Sequence, residues 1–399
     1  MSDPTPWTLP MPEDQFEFMR QVLAAPSPVG LEAAMTFGVL EPWFTTFMPS
    51  SWAFRRFRGN ASLVVDTHPG RGDLLTVMIV GHADKIRMQV RSIGDDGKIW
   101  INSDSFLPMT LIGHEVSIFP RDPQNPKEFK KIQGGTVEAL GAIHFSSAAH
   151  RSGDKGITPE MLYIELQTWG DDRKKQIEDL GIRPGDPVIL NRPIKRGHSA
   201  DTFYGAYLDN GLGCFAAAEV ARLIAERGGL EHIRCLFAFA SHEEIGRMGS
   251  RVLAAELRPD VLIAVDVSHD FNAAPGVKDR RFQPLAMGAG FSLASGSIIS
   301  ASLNGLIEQA ARDHGIPCQP NVSGRDTGTD AMGGVFGAID AAATSLGFPI
   351  RNMHTISETG HTGDVLACIH ALKLTLEAMD EQDLKPDWFA ENHPRLDGL

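Results

Sequence analysis

Apolar residues in this chain come in two rhythms. Residues 74–80 (Leu-Leu-Thr-Val-Met-Ile-Val) are apolar at nearly every position, the pattern of a strand buried on both faces. Residues 63–65, 234–240 and 261–265 repeat it. Between such runs the apolar positions follow a helical period. Pro12-Glu13-Asp14 starts one helix, whose stripe of Phe16, Phe18, Met19 and Val22 is stopped by Pro26 and Pro28. A second helix is expected over 30–47, and later ones over 212–227, 249–256, 302–314 and 363–379. Residues 340–346 fit helix or strand, and 381–399 read as a polar surface tail. Strand and helix in alternation predict an α/β fold with a doubly wound sheet.

The texture changes between about 86 and 196. Gly94-Asp95-Asp96-Gly97 is a hairpin turn between 88–93 and 98–101, and short strands broken by Pro108, Pro120, Pro123 and Pro126 follow. A short helix fits near 173–180, and Arg183-Pro184-Gly185-Asp186 is expected to turn the chain back. The organisation is therefore a main domain of residues 1–85 and 197–399 with a β-rich domain, 86–196, inserted.

Composition narrows the function classes. A formal net charge of -13 disfavours nucleic acid, whose phosphates call for a basic face. No apolar run approaches the roughly 20 residues that span a bilayer, and the first residues lack a signal-peptide pattern. Cys214, Cys235, Cys318 and Cys368 are scattered, consistent with a reduced, cytoplasmic protein.

The candidate chemistry sits where apolar runs end. Gly81-His82-Ala83-Asp84, His242-Glu243-Glu244 and Val265-Asp266-Val267 each follow an expected strand, Leu208-Asp209-Asn210 opens a helix, and Met353-His354-Thr355 closes the series. Each alone has a plain explanation: a core histidine, a solvated turn, an N-cap. Together they place carboxylates and imidazoles on one rim of an open sheet, where such folds bind ligands. These are metal-ligand chemistries, and there are too many for one ion. The count fits two divalent cations sharing a bridging carboxylate. Asp209 to Glu244 spans 35 residues and Glu244 to Asp266 spans 22, one strand–helix unit each. His82 to Asp209 spans 127, room for the inserted domain. The glycine-rich stretches 287–290 and 295–297 lack the Lys-Ser/Thr ending of a phosphate loop and read as turns. His198, His242, His269 and His361 read as surface or locally hydrogen-bonded groups.

With Pro26-Ser27-Pro28-Val29-Gly30, Gly59-Asn60, Glu243-Glu244-Ile245-Gly246 and Gly328-Thr329-Asp330-Ala331 added, the chain resembles the tetrahedral (TET), or glutamyl, aminopeptidases over nearly its full length. The resemblance implies a dinuclear metallopeptidase whose inserted β-barrel (PDZ-like) domain mediates dimers that build dodecamers. Asp209 would bridge the metals, His82 and Asp266 would complete one shell, and Glu244 and His354 the other. Zinc is the first candidate, with cobalt or manganese as alternatives. Asp84 would orient the His82 imidazole, Glu243 would be the general base, and Asp330 would contact substrate. Lys85 departs from the family, which commonly has an acidic residue there, and substrate preference is where such departures bear. The expected activity is removal of N-terminal residues from small peptides. An amidase or deacylase acting on an N-acyl amino acid or modified dipeptide is the alternative, and a catalytically silent scaffold is the third reading.

Overall fold

A computed structural model describes residues 5–103, 105–125, 127–273, 284–296, 298–337 and 339–395. Helix α1 (Glu13–Ala24) buries Phe16, Phe18, Met19, Val22 and Leu23 and carries Glu13 and Asp14 in its first turn, where the helix dipole favours anions. The helix expected over 30–47 forms as one continuous run over 33–44, with its middle turn widened. Segments α2 (Ala33–Met35) and α3 (Glu41–Phe44) flank a π turn at Thr36–Leu40. Pro42 has no N–H to donate and its ring crowds the preceding turn, so the ladder widens there. Strands β1 (Ala53–Arg56), β2 (Leu63–Asp66) and β3 (Leu75–His82) follow. The pattern missed β1, an edge strand whose outer half is Arg55 and Arg56.

The next six strands are β4 (Met88–Ile93), β5 (Ile99–Ser103), β6 (Glu115–Ile118), β7 (Ile132–Glu138), β8 (Tyr163–Glu165) and β9 (Pro187–Leu190). They close a barrel in the order β4-β5-β8-β7-β6-β9, with the short helices α4 (Ala148–Ser152) and α5 (Arg173–Asp179) in its connections. The turn at 183–186 does not leave the barrel as expected. It feeds β9, which pairs Pro187 with Gln89. The chain rejoins the main layer at β10 (Lys195–Arg196), paired with β11 (Thr202–Gly205).

Helix α6 (Leu208–Glu226), β12 (Ile233–Ala240), α7 (Met248–Leu257) and β13 (Val261–His269) come next. After β14 (Phe291–Ser295), α8 (Ala301–His314), β15 (Cys318–Val322) and α9 (Asp330–Phe336) come β16 (Ala342–Ile350), β17 (Glu358–His361) and α10 (Thr362–Glu381). The main sheet runs β1-β2-β12-β3-β13-β16-β14-β15, and β10-β11-β17 form a second, small sheet. Strands β12, β3, β13 and β16 are parallel while β14 opposes β16, so the sheet is mixed. Helices cover both faces. Val77, Ile79, Phe237, Phe239 and Ile263 pack in one cluster with residues of α1, α6 and α10. The intervening Met78, Val80, Leu236, Ala238 and Leu262 pack with Leu253, Ala254 and Ala331 of α7 and α9. With period-two alternation and both faces covered, the strands must read as unbroken apolar runs.

Of the segment 340–346, open to either reading, residues 342–346 belong to β16. The polar tail is a correction. Helix α11 (Asp387–Glu391) and the preceding loop bury Phe389 and Leu384 against the main core, and the Asn392 carbonyl accepts the Ser302 hydroxyl. Residues 396–399 lie outside the described ones.

Two buried contacts support the end of β3. A Cβ on Gly81 would stand 2.6 Å from the carbonyl carbon of Gly213, so only glycine lets β3 approach α6 this closely. Lys85 is fully buried. Its ammonium donates to the carbonyls of Leu23 and Ala25 at the C-terminus of α1 and lies 5.2 Å from the Tyr207 ring centroid. Burial lowers its pKa to about 7. Lys85→Met should strand these carbonyls and cost about 1–3 kcal/mol in urea unfolding. Because the folded pKa is below the unfolded one, the unfolded chain binds the extra proton between pH 7 and the ordinary lysine range. Wild-type stability should therefore gain on the variant as pH rises through that window. A deficit that shrinks with pH would contradict this.

Candidate metal centre

The parallel strands deliver their polar ends to one edge. The register pairs Ala240 of β12 with His82, the last residue of β3, so the turn carrying Glu243 and Glu244 emerges beside that imidazole. Asp266 follows on the neighbouring strand β13. Asp209 lies in the first turn of α6, where Asp209 and Asn210 leave helical geometry and their peptide bond is cis. Asn210 fastens this turn: its amide nitrogen donates to the Val265 carbonyl at 2.8 Å, and its oxygen accepts the Gly213 N–H at 2.8 Å. His354, in the loop between β16 and β17, reaches in from the other side with φ at 60°.

Asp209 is the centre of the arrangement. Its Oδ1 stands 3.2 Å from His82 Nε2 and its Oδ2 stands 3.1 Å from His354 Nε2. His82 Nε2 is 3.8 Å from Asp266 Oδ1, and His354 Nε2 is 3.9 Å from Glu244 Oε1. Two sets of donor atoms result, His82–Asp209–Asp266 and Asp209–Glu244–His354, each lying within 4.8 Å of one another and each suited to a cation. Ligand atoms about 2.1 Å from a tetrahedral zinc stand roughly 3.4 Å apart, so both sets are near bonding size. Asp209 Oδ1 and Glu244 Oε1 are buried without a hydrogen-bond partner, as metal-ligating oxygens would be.

The electrostatics point the same way. Burial, then the charge of Asp209, pushes the Glu244 carboxyl up to about 10, and burial with Asp330 and Asp209 nearby pushes Glu243 up to about 8. Asp266 is raised well above its ordinary value by burial and by Asp209 and Glu243. Asp209 goes the other way despite its burial, because the His354 and His82 imidazoles face its two oxygens and hold it below the usual range. So many carboxyls can be ionised together only with compensating positive charge.

Asp84 departs in detail from its expected role. The His82 Nδ1 contact, at 3.0 Å, is to the backbone carbonyl of Asp84, while the carboxylate is 3.6 Å away. The carboxylate instead accepts the N–H groups of Glu243 and Glu244, each at 3.0 Å. It is better placed to hold the two-glutamate turn, because those donors lie on its open side and the carbonyl already occupies the imidazole.

A cleft of about 490 Å³ opens over these groups, walled by Ser268, His269, Phe271, Asn321, Thr327 and Met353 among others. Asp330 does not face it. That carboxylate is only 2% exposed, and burial pushes it up to about 6, whereas Thr327, Gly328 and Thr329 just before it do line the cleft. As the first residue of α9, Asp330 is buried instead of lining the cleft, where a substrate contact was expected. His269 is exposed at the end of β13, as expected of a surface group, and it also lines the cleft. His361 keeps a local role, accepting the Gly363 N–H at the start of α10.

Sequence reasoning missed Glu358. It is 2% exposed; one carboxylate oxygen accepts the Leu208 N–H at 2.6 Å and the other the His354 N–H at 2.7 Å. Its signal was available, four residues beyond His354 and opening a short strand.

The sequence profile of the M42 glutamyl aminopeptidases matches residues 62–371. Lysyl aminopeptidase of Pyrococcus furiosus is 30% identical over 318 residues, 79% of this chain and 85% of that protein. A TET aminopeptidase from a marine sediment thaumarchaeon superposes with a TM-score of 0.80 at 18% identity, over 94% of this chain and 99% of that one. The TET1 peptidase of Pyrococcus horikoshii, which can assemble into a tetrahedron or a large octahedral shell, superposes with a TM-score of 0.71 at 20% identity, over 90% of this chain and 98% of that one. At these identities the two structures show a shared fold.

Proposed function

Because the chain belongs to the M42 glutamyl aminopeptidase family, and so to the peptidases, we propose that it removes N-terminal residues from small peptides with water activated between two divalent cations. The observation that carries this reading is Asp209, whose two oxygens each face a different imidazole. His82, Asp209 and Asp266 would hold one ion, and Asp209, Glu244 and His354 the other. Mixed carboxylate and imidazole shells suit zinc, and cobalt or manganese also fit. Bound cations would polarise the scissile carbonyl and lower the pKa of a water to near neutrality.

The chain's own groups supply the rest. Glu243 is no member of either donor set, yet its carboxylate stands 3.8 Å from His82 Nε2 at the same edge. That place suits it to take the proton from the attacking water and return it to the leaving amine. Asp84 fixes its backbone from below, and Arg247 Nε lies 3.8 Å from Oε1, bracing the side chain from the opposite side. Barrel-segment side chains Leu107, Met109, Phe145 and Trp169 are 61%, 75%, 91% and 87% exposed, apolar surface that suits assembly of several copies. Among the described residues no helix is long and apolar enough to cross a membrane.

The test pairs aminoacyl anilides with their N-acylated counterparts, before and after chelation. Cleavage of the free-amine substrates, lost with chelator and restored by zinc or cobalt, is expected. Preference for the N-acylated series would make the protein a deacylase.

A further inference from the structure

Leu208 and His354 are 146 residues apart, yet a single side chain holds the backbone of both. From the dual contact of its carboxylate we infer that Glu358 is a positioning residue that sets the spacing of Asp209 and His354, and with it the affinity of the ion between them. The inference rests on the two-cation reading above.

Glu358 opens β17, pairs with Gly205 of β11 and is buried. Leu208 precedes Asp209 directly, so one oxygen grips the backbone at the shared ligand while the other grips His354 itself. Both gripped segments are strained. Tyr207 has φ at 67° and His354 at 60°, left-handed conformations that non-glycine residues keep only where the surroundings over-determine them. The carboxylate supplies that constraint, since it accepts an N–H from each segment. An ordinary buried carboxylate would satisfy donors on one element. This one joins two segments that also face each other at Asp209 Oδ2 and His354 Nε2, 3.1 Å apart.

Glutamine fits the same space but offers one acceptor, so its amide nitrogen must confront one of the two N–H groups. Aspartate keeps both acceptors one methylene short of them. Outer groups that orient metal ligands are typically worth about 10–100-fold in metal affinity. The experiment is a zinc titration of metal-stripped wild type, Glu358→Gln and Glu358→Asp against a chromophoric chelator, resolving two dissociation constants, with thermal unfolding of each metal-free protein alongside. Wild type should bind two ions. Glu358→Gln should weaken one by about tenfold or more and leave the other within about threefold, with Glu358→Asp between. Two unchanged constants in the folded variants, or an equal loss at both sites tracking a fall in unfolding temperature, would overturn the positioning role. Should wild type itself bind fewer than two ions, the two-cation reading fails instead. If Glu358→Gln does not fold, Glu358→Asp decides alone by the same split.

Discussion

Asp209→Ala should leave the purified protein with neither ion and cut kcat/KM by roughly a thousand-fold or more, equivalent to about 4 kcal/mol of barrier. The size of the effect follows from its position. Both donor sets contain Asp209, so removing it leaves His82 and Asp266 on one side, Glu244 and His354 on the other, two donors each. Two donors do not fix a tetrahedral ion against water. Removing Asp266 or His354 instead leaves one three-donor set intact and should cost one ion. Elemental analysis checks all three variants together, and an Asp209→Ala protein that retains a full equivalent of metal would remove that residue from the centre.

Glu243→Gln should produce the opposite pairing of results, full metal content with turnover reduced about 10²- to 10⁴-fold, the usual worth of a general base. Glutamine preserves the backbone contacts that Asp84 accepts from residues 243 and 244, so the turn and its neighbour Glu244 stay in place. What disappears is the group that takes the proton. Because the proposed role of Glu243 is toward the attacking water and not toward bound substrate, the loss should fall in kcat with KM nearly unchanged. Steady-state kinetics on the metal-loaded variant decide the point. Turnover within about threefold of wild type would assign the proton to another group.

The candidate donor groups were legible because the chemistry sits at the ends of the most regular elements. A strand buried on both faces announces itself as an apolar run, and its first polar residue then marks the rim: His82 after residues 74–80, Asp266 after 261–265. What could not be read was side-chain direction where periodicity stops. Asp330 follows the cleft-lining Thr329 by one residue, but α9 begins there and turns its carboxylate inward. Asp84 was assigned to the right neighbourhood with the wrong atom, since a backbone carbonyl is invisible to motif reasoning. Edge strands were lost for a different reason. Strand β15 exposes alternate residues and contains Pro320, which removes the apolar run that betrays a central strand. The 30–47 helix forms over 33–44, but its π turn, next to Pro42, was masked by the apolar stripe. Helix α11 was hidden by the polar residues around Phe389.

The most direct measurement is an anomalous difference map at the zinc absorption edge from crystals of the zinc-loaded protein. The account predicts two peaks flanking Asp209, one among His82, Asp209 and Asp266 and the other among Asp209, Glu244 and His354. A single peak, or density away from these five side chains, would contradict it.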